Sequence, residues 1–288
     1  MAEIAEVVGA QEWLDPVAET LESAVGSAFQ GEAGRHAKDA LNGTWLGHPL
    51  HPVLTDVPIG AWMMSQVFDA LDAADGNGKY EAAAQVCITT GLIGAAGAAI
   101  TGLTDWSDTS GQSRRVGLVH GLLNITATTL FLASALMRRR QKTSAAVAAS
   151  STGFAIAMAG AYLGGSLVYD REIGPNHAIA GEAPEGFTRA IAEADLAEGQ
   201  KRKVRVGDAK VVVGRYQGRV FALAERCAHQ GGPLSEGELR DGTIICPWHQ
   251  STFRVESGEL VHGPSTFPQP CYDTRIVDGF VEVRPRQG

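Results

Sequence analysis

Cysteine is scarce in this chain, with four among 288 residues, at positions 87, 227, 246 and 271. Cys87 lies in an apolar run and Cys271 stands alone beside a proline, whereas Cys227 and Cys246 each have a histidine close by. That distribution excludes the disulfide framework of a small secreted domain. Basic residues are also few: 24 Lys and Arg against 32 Asp and Glu give a formal net charge of −8. A nucleic-acid binder needs a basic face, so nucleic acid is not an expected partner. The opening MAEIAEVVGAQEWLDP is acidic and lacks the basic and apolar regions of a signal peptide.

What is present divides into two unlike halves. From Val53 to Tyr169 the chain is rich in Ala, Gly, Leu and Ile; from Arg171 onward it is charged and alternates with a period of two. Ahead of both, Leu14, Val17, Leu21, Val25 and Phe29 recur at spacings of three and four. That spacing predicts an amphipathic helix within residues 12–41, lying either on a membrane surface or on its own protein. Four apolar segments follow, Val53–Leu71, Ala83–Leu103, Val116–Met137 and Ala145–Tyr169, each near the roughly 20 residues that cross a bilayer. Small residues four apart, at Gly91, Ala95 and Ala99 and at Ala157, Ala161 and Gly165, would let membrane helices approach closely. A soluble alanine-rich four-helix bundle is the alternative, but four such segments in succession favour a multi-pass membrane domain. Asp56 and Asp69, inside the first segment, are expected to face the bundle interior.

With four spans, the N-terminus, the loop around residues 106–115 and everything after Tyr169 share one side of the membrane. RRRQK at 138–142 pulls the opposite side toward the cytoplasm, while Arg35, Lys38, Arg114, Arg115 and Arg171 pull the other way. The lack of disulfides leans toward a cytoplasmic C-terminal half. Residues 171–187 read as a Gly- and Pro-containing linker. Beyond it, VRVGDAKVVVGRYQGRVFALAE predicts short strands turning at Gly207-Asp208 and Gln217-Gly218, and GFVEVRP another. The expected organisation is therefore an N-terminal segment 1–47, an all-α four-helix transmembrane domain 48–170, a linker 171–187 and an all-β domain 188–288.

Within that β domain stand Cys227-Ala228-His229 and Cys246-Pro247-Trp248-His249. Two thiolates and two imidazoles suit tetrahedral zinc or iron. A zinc finger usually groups its cysteines in one pair and its histidines in another; here each loop offers one of each. Such a set suits a [2Fe–2S] cluster with sulfur on one iron and nitrogen on the other.

The segment resembles a Rieske [2Fe–2S] domain in its C-x-H, GGPLSEGEL, C-P-W-H and STFRVESGEL runs and in HGPSTFPQPCYDTRIVDGFVEV. The resemblance covers residues 188–286. It implies one cluster, with Cys227 and Cys246 on the buried iron and His229 and His249 on the outer, redox-active iron. Gln230, Gly231 and Gly232 after the first histidine leave no place for the cysteine bridge of respiratory-complex Rieske proteins. Ser251 matches a serine that donates toward cluster sulfur, and Phe253 replaces the tyrosine of high-potential members.

The helical half resembles a bacterial family of small membrane domains of unknown function, through HPLHP, DVPIG, TGLTDW and GGSLVYD. His48, His51 and His120, with His177, fall on one side of the expected topology. The first three are candidate ligands for b-type haem or a quinone; the alternative is that they hydrogen-bond and cap helices. His36 and His262 read as surface histidines. No nucleophile–base set accompanies the cluster, so no catalytic residue is assigned. The leading expectation is a membrane-anchored carrier of single electrons between a soluble or membrane redox partner and something in or on the membrane. A component of a Rieske-type oxygenase or membrane oxidoreductase, or a redox sensor, are the alternatives. An oxygenase would need a further mononuclear iron held by two histidines and a carboxylate.

With one hydroxyl donor to sulfur rather than two, the reduced cluster is stabilised less. Redox titration of the full chain is expected to give a midpoint at the lower end of the roughly −150 to +300 mV spanned by Rieske centres. A midpoint at the upper end contradicts that reading.

Overall fold

A computed structural model describes residues 2–178 and 184–286. Residues 179–183, in the middle of the expected linker, lie outside the described residues, as do Met1 and residues 287–288. The chain forms two compact units, one of Met1–Gln30 with Leu50–Ile173 and one of Gly31–Pro49 with Gly174–Gly288.

The first unit is helical. After α1 (Ala2–Gly9) and α2 (Asp15–Ala28) come four long helices, α4 (Leu50–Asp75), α5 (Glu81–Trp106), α6 (Gly111–Arg139) and α7 (Thr143–Tyr169). With α3 (Gly31–Asn42) of the second unit, the described residues hold seven α-helices rather than four. The expected helix within residues 12–41 is broken, because Gly31 takes a left-handed φ of +74° after Phe29. Leu14, Ala18 and Val25 are buried, and Leu14 and Ala18 pack with Trp106 and Leu118. Arg115 donates two hydrogen bonds to Asp15, at 2.8 and 2.6 Å. α2 therefore packs on its own protein through Ala18 and Val25, while Val17 and Leu21 of the expected apolar face stay exposed.

The four long helices pair as two hairpins, α4 with α5 and α6 with α7. Glycine permits the close approach: a Cβ on Gly91 would fall 2.2 Å from Trp62 Nε1, and one on Gly153 3.3 Å from the Phe131 ring. Trp62 and Phe131 stack at 4.1 Å with their planes 8° apart, tying one hairpin to the other. Farther along, Arg138 donates to both carboxylate oxygens of Asp69 at 2.7 and 2.6 Å, both residues being buried. Asp69 thus faces the interior as expected, whereas Asp56 is exposed. The outward faces carry Val57, Met64, Val86, Ile93, Ile125 and Leu132, all exposed. Three helices, α5, α6 and α7, are long and apolar enough to cross a membrane. The segment expected as the first span lies in α4, where four aspartates dilute the apolar composition.

Apart from α3 and two single-turn 3-10 helices, the described residues of the second unit form strands and loops. A six-stranded antiparallel sheet runs in the order β1 (Thr188–Ala192), β10 (Phe280–Pro285), β9 (Cys271–Val277), β4 (Arg219–Ala224), β3 (Ala209–Tyr216), β2 (Lys201–Val206). A four-stranded sheet follows chain order: β5 (Glu238–Arg240), β6 (Thr243–Ile245), β7 (Thr252–Arg254), β8 (Leu260–His262). The hairpin turns read from the sequence are present; Gln217 and Gly218 both have positive φ, as a two-residue type I′ turn requires. Val211, Val212 and Val213 are wholly buried, so β3 is covered on both faces.

By packing, the expected N-terminal segment 1–47 divides between the two units. Residues 31–49 join the β unit because Asp39 on α3 is bonded there: its carboxylate accepts the Gly263 N–H at 2.8 Å and the His262 Nδ1–H at 2.8 Å. His262 is therefore a partnered histidine, while His36 beside it stays exposed.

Replacing Asp69 by Ala leaves the buried Arg138 unpaired, and is expected to cost about 3–5 kcal/mol. Thermal unfolding in detergent reads this loss. The Asp69→Leu/Arg138→Met pair should lose much less, and an unchanged Tm in Asp69→Ala contradicts the pairing.

Candidate metal centre

Two loops, one after β4 and one between β6 and β7, are built alike. In the first, Cys227 N–H donates to Gly232 O at 2.9 Å and Gly231 N–H donates to Cys227 O at 2.8 Å. In the second, Cys246 N–H donates to Ser251 O at 2.9 Å and Gln250 N–H donates to Cys246 O at 3.0 Å. Closing each ring takes one left-handed residue, Gly231 (φ 75°) in one loop and Gln250 (φ 63°) in the other. The two knuckles present Cys227 with His229 and Cys246 with His249 to a common space.

The donors converge. The Nδ1 atoms of His229 and His249 approach to 3.2 Å, with the rings perpendicular and their centroids 4.9 Å apart. Cys227 is fully buried and Cys246 nearly so, whereas both histidines are half-buried. Sulfur therefore lies inside and nitrogen toward the surface. The two sulfurs hydrogen-bond to each other, and that bond is the main reason the Cys246 thiol is lowered to about 7; the N–H groups of Trp248 and His249 add to it. The same sulfur–sulfur bond, with burial, pushes the Cys227 thiol well above its ordinary range. Burial pushes His229 well below the ordinary imidazole range, with His249, Lys38 and His177 adding positive field. A neutral imidazole and a ready thiolate are the protonation states that metal ligation requires.

The surroundings hold this geometry. The Ser251 hydroxyl bonds to the Cys227 sulfur and also accepts the Ser265 N–H at 3.0 Å. Phe253 is fully buried and offers no donor. A Cβ on Gly232 would lie 2.8 Å from Cys246 Sγ and 3.1 Å from Trp248, so only glycine fits there. Gln269 was not singled out from sequence, yet it fastens the first loop. Its amide donates to Ala224 O and Arg226 O, both at 2.7 Å, and its carbonyl accepts the Ala228 N–H at 3.0 Å. A glutamine among prolines carries no spacing signal, so only the fold reveals it. Glu225 is buried likewise, accepting from the Ser235 hydroxyl at 2.6 Å.

The helical histidines separate. His51 and His120 come together, ring centroids 6.3 Å apart and planes at 86°. His48 is exposed, its Nδ1 3.1 Å from the adjacent Pro49 carbonyl, and it belongs to the β unit. His177 also belongs to the β unit; its N–H donates to Ala228 O at 3.0 Å, beside the first ligand loop.

Comparison with known proteins agrees with this geometry. Residues 187–273 match the Rieske [2Fe-2S] domain, and residues 47–177 match a family described as predicted membrane protein (DUF2231). The chain is 40% identical over 90 residues to apoptosis-inducing factor 3 of Mus musculus, covering 31% of this chain but only 15% of that protein. It is 39% identical over 77 residues to the anthranilate 1,2-dioxygenase ferredoxin subunit of Burkholderia cepacia, 27% of this chain and 71% of the subunit. With ferredoxin CarAc of Metapseudomonas resinovorans it shares 33% over 98 residues, 34% of this chain and 92% of the ferredoxin.

Gly232→Ala is expected to lower bound iron and sulfide several-fold, because the new methyl group collides with Cys246 and Trp248. Gln250→Gly, which suits the left-handed backbone, should retain the full complement. Iron and acid-labile sulfide assays on both variants check this; a fully loaded Gly232→Ala contradicts the packing described.

Proposed function

Since this chain belongs to the Rieske [2Fe–2S] proteins and carries a predicted membrane domain ahead of the cluster domain, we propose that it is a membrane-anchored carrier of single electrons. Cys227 and Cys246 hold the inner iron, and His229 and His249 the outer one. When bound, the cluster supplies a one-electron site whose potential is raised by its two neutral ligands. The protein's own groups do the rest. The Ser251 hydroxyl bonds to the Cys227 sulfur, and Phe253 keeps that side dry and without a donor. The half-buried imidazoles lie beside exposed Pro247 and Trp248, where a partner protein docks and the electron passes. The convergence of the two Cys–His loops is the observation that carries this reading.

Anchoring draws support from α5, α6 and α7, from the apolar outward faces and from the membrane-family match. In this multi-pass arrangement α4 is a fourth span, its Asp69 charge neutralised by Arg138. The Rieske domain faces the cytoplasm. Its partner is a redox protein; the dioxygenase ferredoxin relatives suggest one of the oxygenase class.

One observation favours a second reading, in which this chain is itself an oxygenase component. His36, Asp39 and His262 place their ligand atoms within 4.8 Å of one another, two histidines and a carboxylate. Against it, both oxygens of Asp39 already accept hydrogen bonds from His262 and Gly263.

Sodium carbonate extraction of membranes from expressing cells should leave the full chain in the pellet; release into the supernatant overturns the anchoring. Non-haem iron in the purified protein should be two atoms per chain, matched by sulfide. A third non-haem iron that Asp39→Ala removes would replace the carrier reading with the oxygenase one.

A further inference from the structure

The two helical hairpins are copies of one another. All four buried positions of α4 recur 69 residues later as buried positions of α6: Pro58 as Ala127, Trp62 as Phe131, Ser65 as Ser134, Asp69 as Arg138. The six buried positions of α7 each lie 62 residues after a buried position of α5, the offset that also separates the bonded pair Glu81 and Thr143. Where α4 and α6 meet, the contacting residues are equivalent ones: Trp62 stacks on Phe131, and Asp69 pairs with Arg138. The bundle therefore has an internal two-fold axis between α4 and α6.

His51 and His120 are a third such pair, also 69 residues apart, and they keep the same residue in both copies. Each is held in the same way. His51 Nδ1–H donates to Ala98 O at 2.8 Å, and His120 Nδ1–H donates to Gly160 O at 2.8 Å. Four residues beyond each carbonyl a glycine makes room for the ring: a Cβ on Gly102 would lie 2.7 Å from His51 Cε1, and one on Gly164 3.0 Å from His120 Cε1. In both rings Nε2 is the nitrogen farther from that glycine. An imidazole fixed through Nδ1–H to a carbonyl, with Nε2 free to accept, is the arrangement of a metal-bound histidine. The Asn124 amide donates to His120 O at 2.9 Å and also lies 3.3 Å from Nε2 and 3.4 Å from Nδ1 of His120, a contact that a metal at Nε2 would displace.

The separation suits one shared metal. A first-row metal bound about 2.0 Å from each of two opposed imidazole nitrogens puts the ring centres on the order of 6 Å apart; here they are 6.3 Å apart. The donor count selects the metal's form. Among the described residues no third His, Cys, Asp or Glu joins this pair to complete a protein-ligated ion. Iron in a porphyrin brings four nitrogens of its own and takes axial histidine. We infer that His51 and His120 are the axial ligands of a single b-type haem bound on the internal two-fold axis of the helical unit. His48 takes no part. The inference does not depend on the Rieske cluster, which has separate ligands.

The test uses the full chain, purified in detergent from haem-supplemented cells and, separately, titrated with hemin. The expected result is one haem per chain by the pyridine haemochrome assay, with a low-spin bis-imidazole spectrum. His51→Ala and His120→Ala should each lose at least tenfold in bound haem while retaining the iron–sulfur signal and monodisperse elution. His48→Ala should bind haem fully. His51→Met and His120→Met preserve an axial donor and should keep haem with a shifted spectrum, which separates ligation from a folding defect. Wild-type protein that takes up no stoichiometric hemin overturns the inference. So does full haem retention in either alanine variant.

Discussion

Two sulfurs and two imidazole nitrogens from separate loops are brought to a common point, and the β unit is arranged around keeping them there. Each loop closes on its own cysteine through the same pair of backbone hydrogen bonds. Each needs one left-handed residue, and the closeness of the loops requires the missing side chain of Gly232. The interior side of the site is then lined by Ser251, Phe253 and Gln269, which are fully or nearly fully buried. Rigid support of this kind lowers the rearrangement that accompanies a change of charge on the metal, as a group passing electrons requires.

The helical unit is built on a different principle. Two like hairpins meet where equivalent residues face each other: His51 and His120 with ring centres 6.3 Å apart, Trp62 stacked on Phe131, and Asp69 paired with Arg138. The unit's outward faces carry large apolar residues such as Val57, Ile93 and Leu132, while Ser65, Asp69, Ser134 and Arg138 are buried beside Trp62 and Phe131. The Asp69–Arg138 pair is tolerable there because each charge meets its opposite with two short hydrogen bonds.

The convergence of the two loops was foreshadowed by residues alone, since C-x-H and C-P-W-H each hold a cysteine and a histidine within a few positions. The hairpin at Gln217-Gly218 was legible for a similar reason, as its turn chemistry is local. What escaped depends on contacts between distant residues. Nothing near Asp39 indicates that it would bond to Gly263, more than two hundred residues later, and draw residues 31–49 into the β unit. Gln269 is silent for the same reason. The internal repeat was hidden because its copies share burial more than identity: Trp62 answers to Phe131, and Asp69 to an arginine of opposite charge. His48, His51 and His120 looked equivalent by type and side, but only the packing separates His48 from the other two.

The central claim is that one [2Fe–2S] cluster is held by two sulfurs and two imidazoles, and pulsed electron paramagnetic resonance of the reduced full chain tests it most directly. The account predicts a one-electron iron–sulfur signal coupled to two inequivalent histidine nitrogens, both couplings vanishing with the signal when His229 or His249 is replaced. A reduced sample with no nitrogen coupling, or purified protein whose metal is zinc, would contradict it.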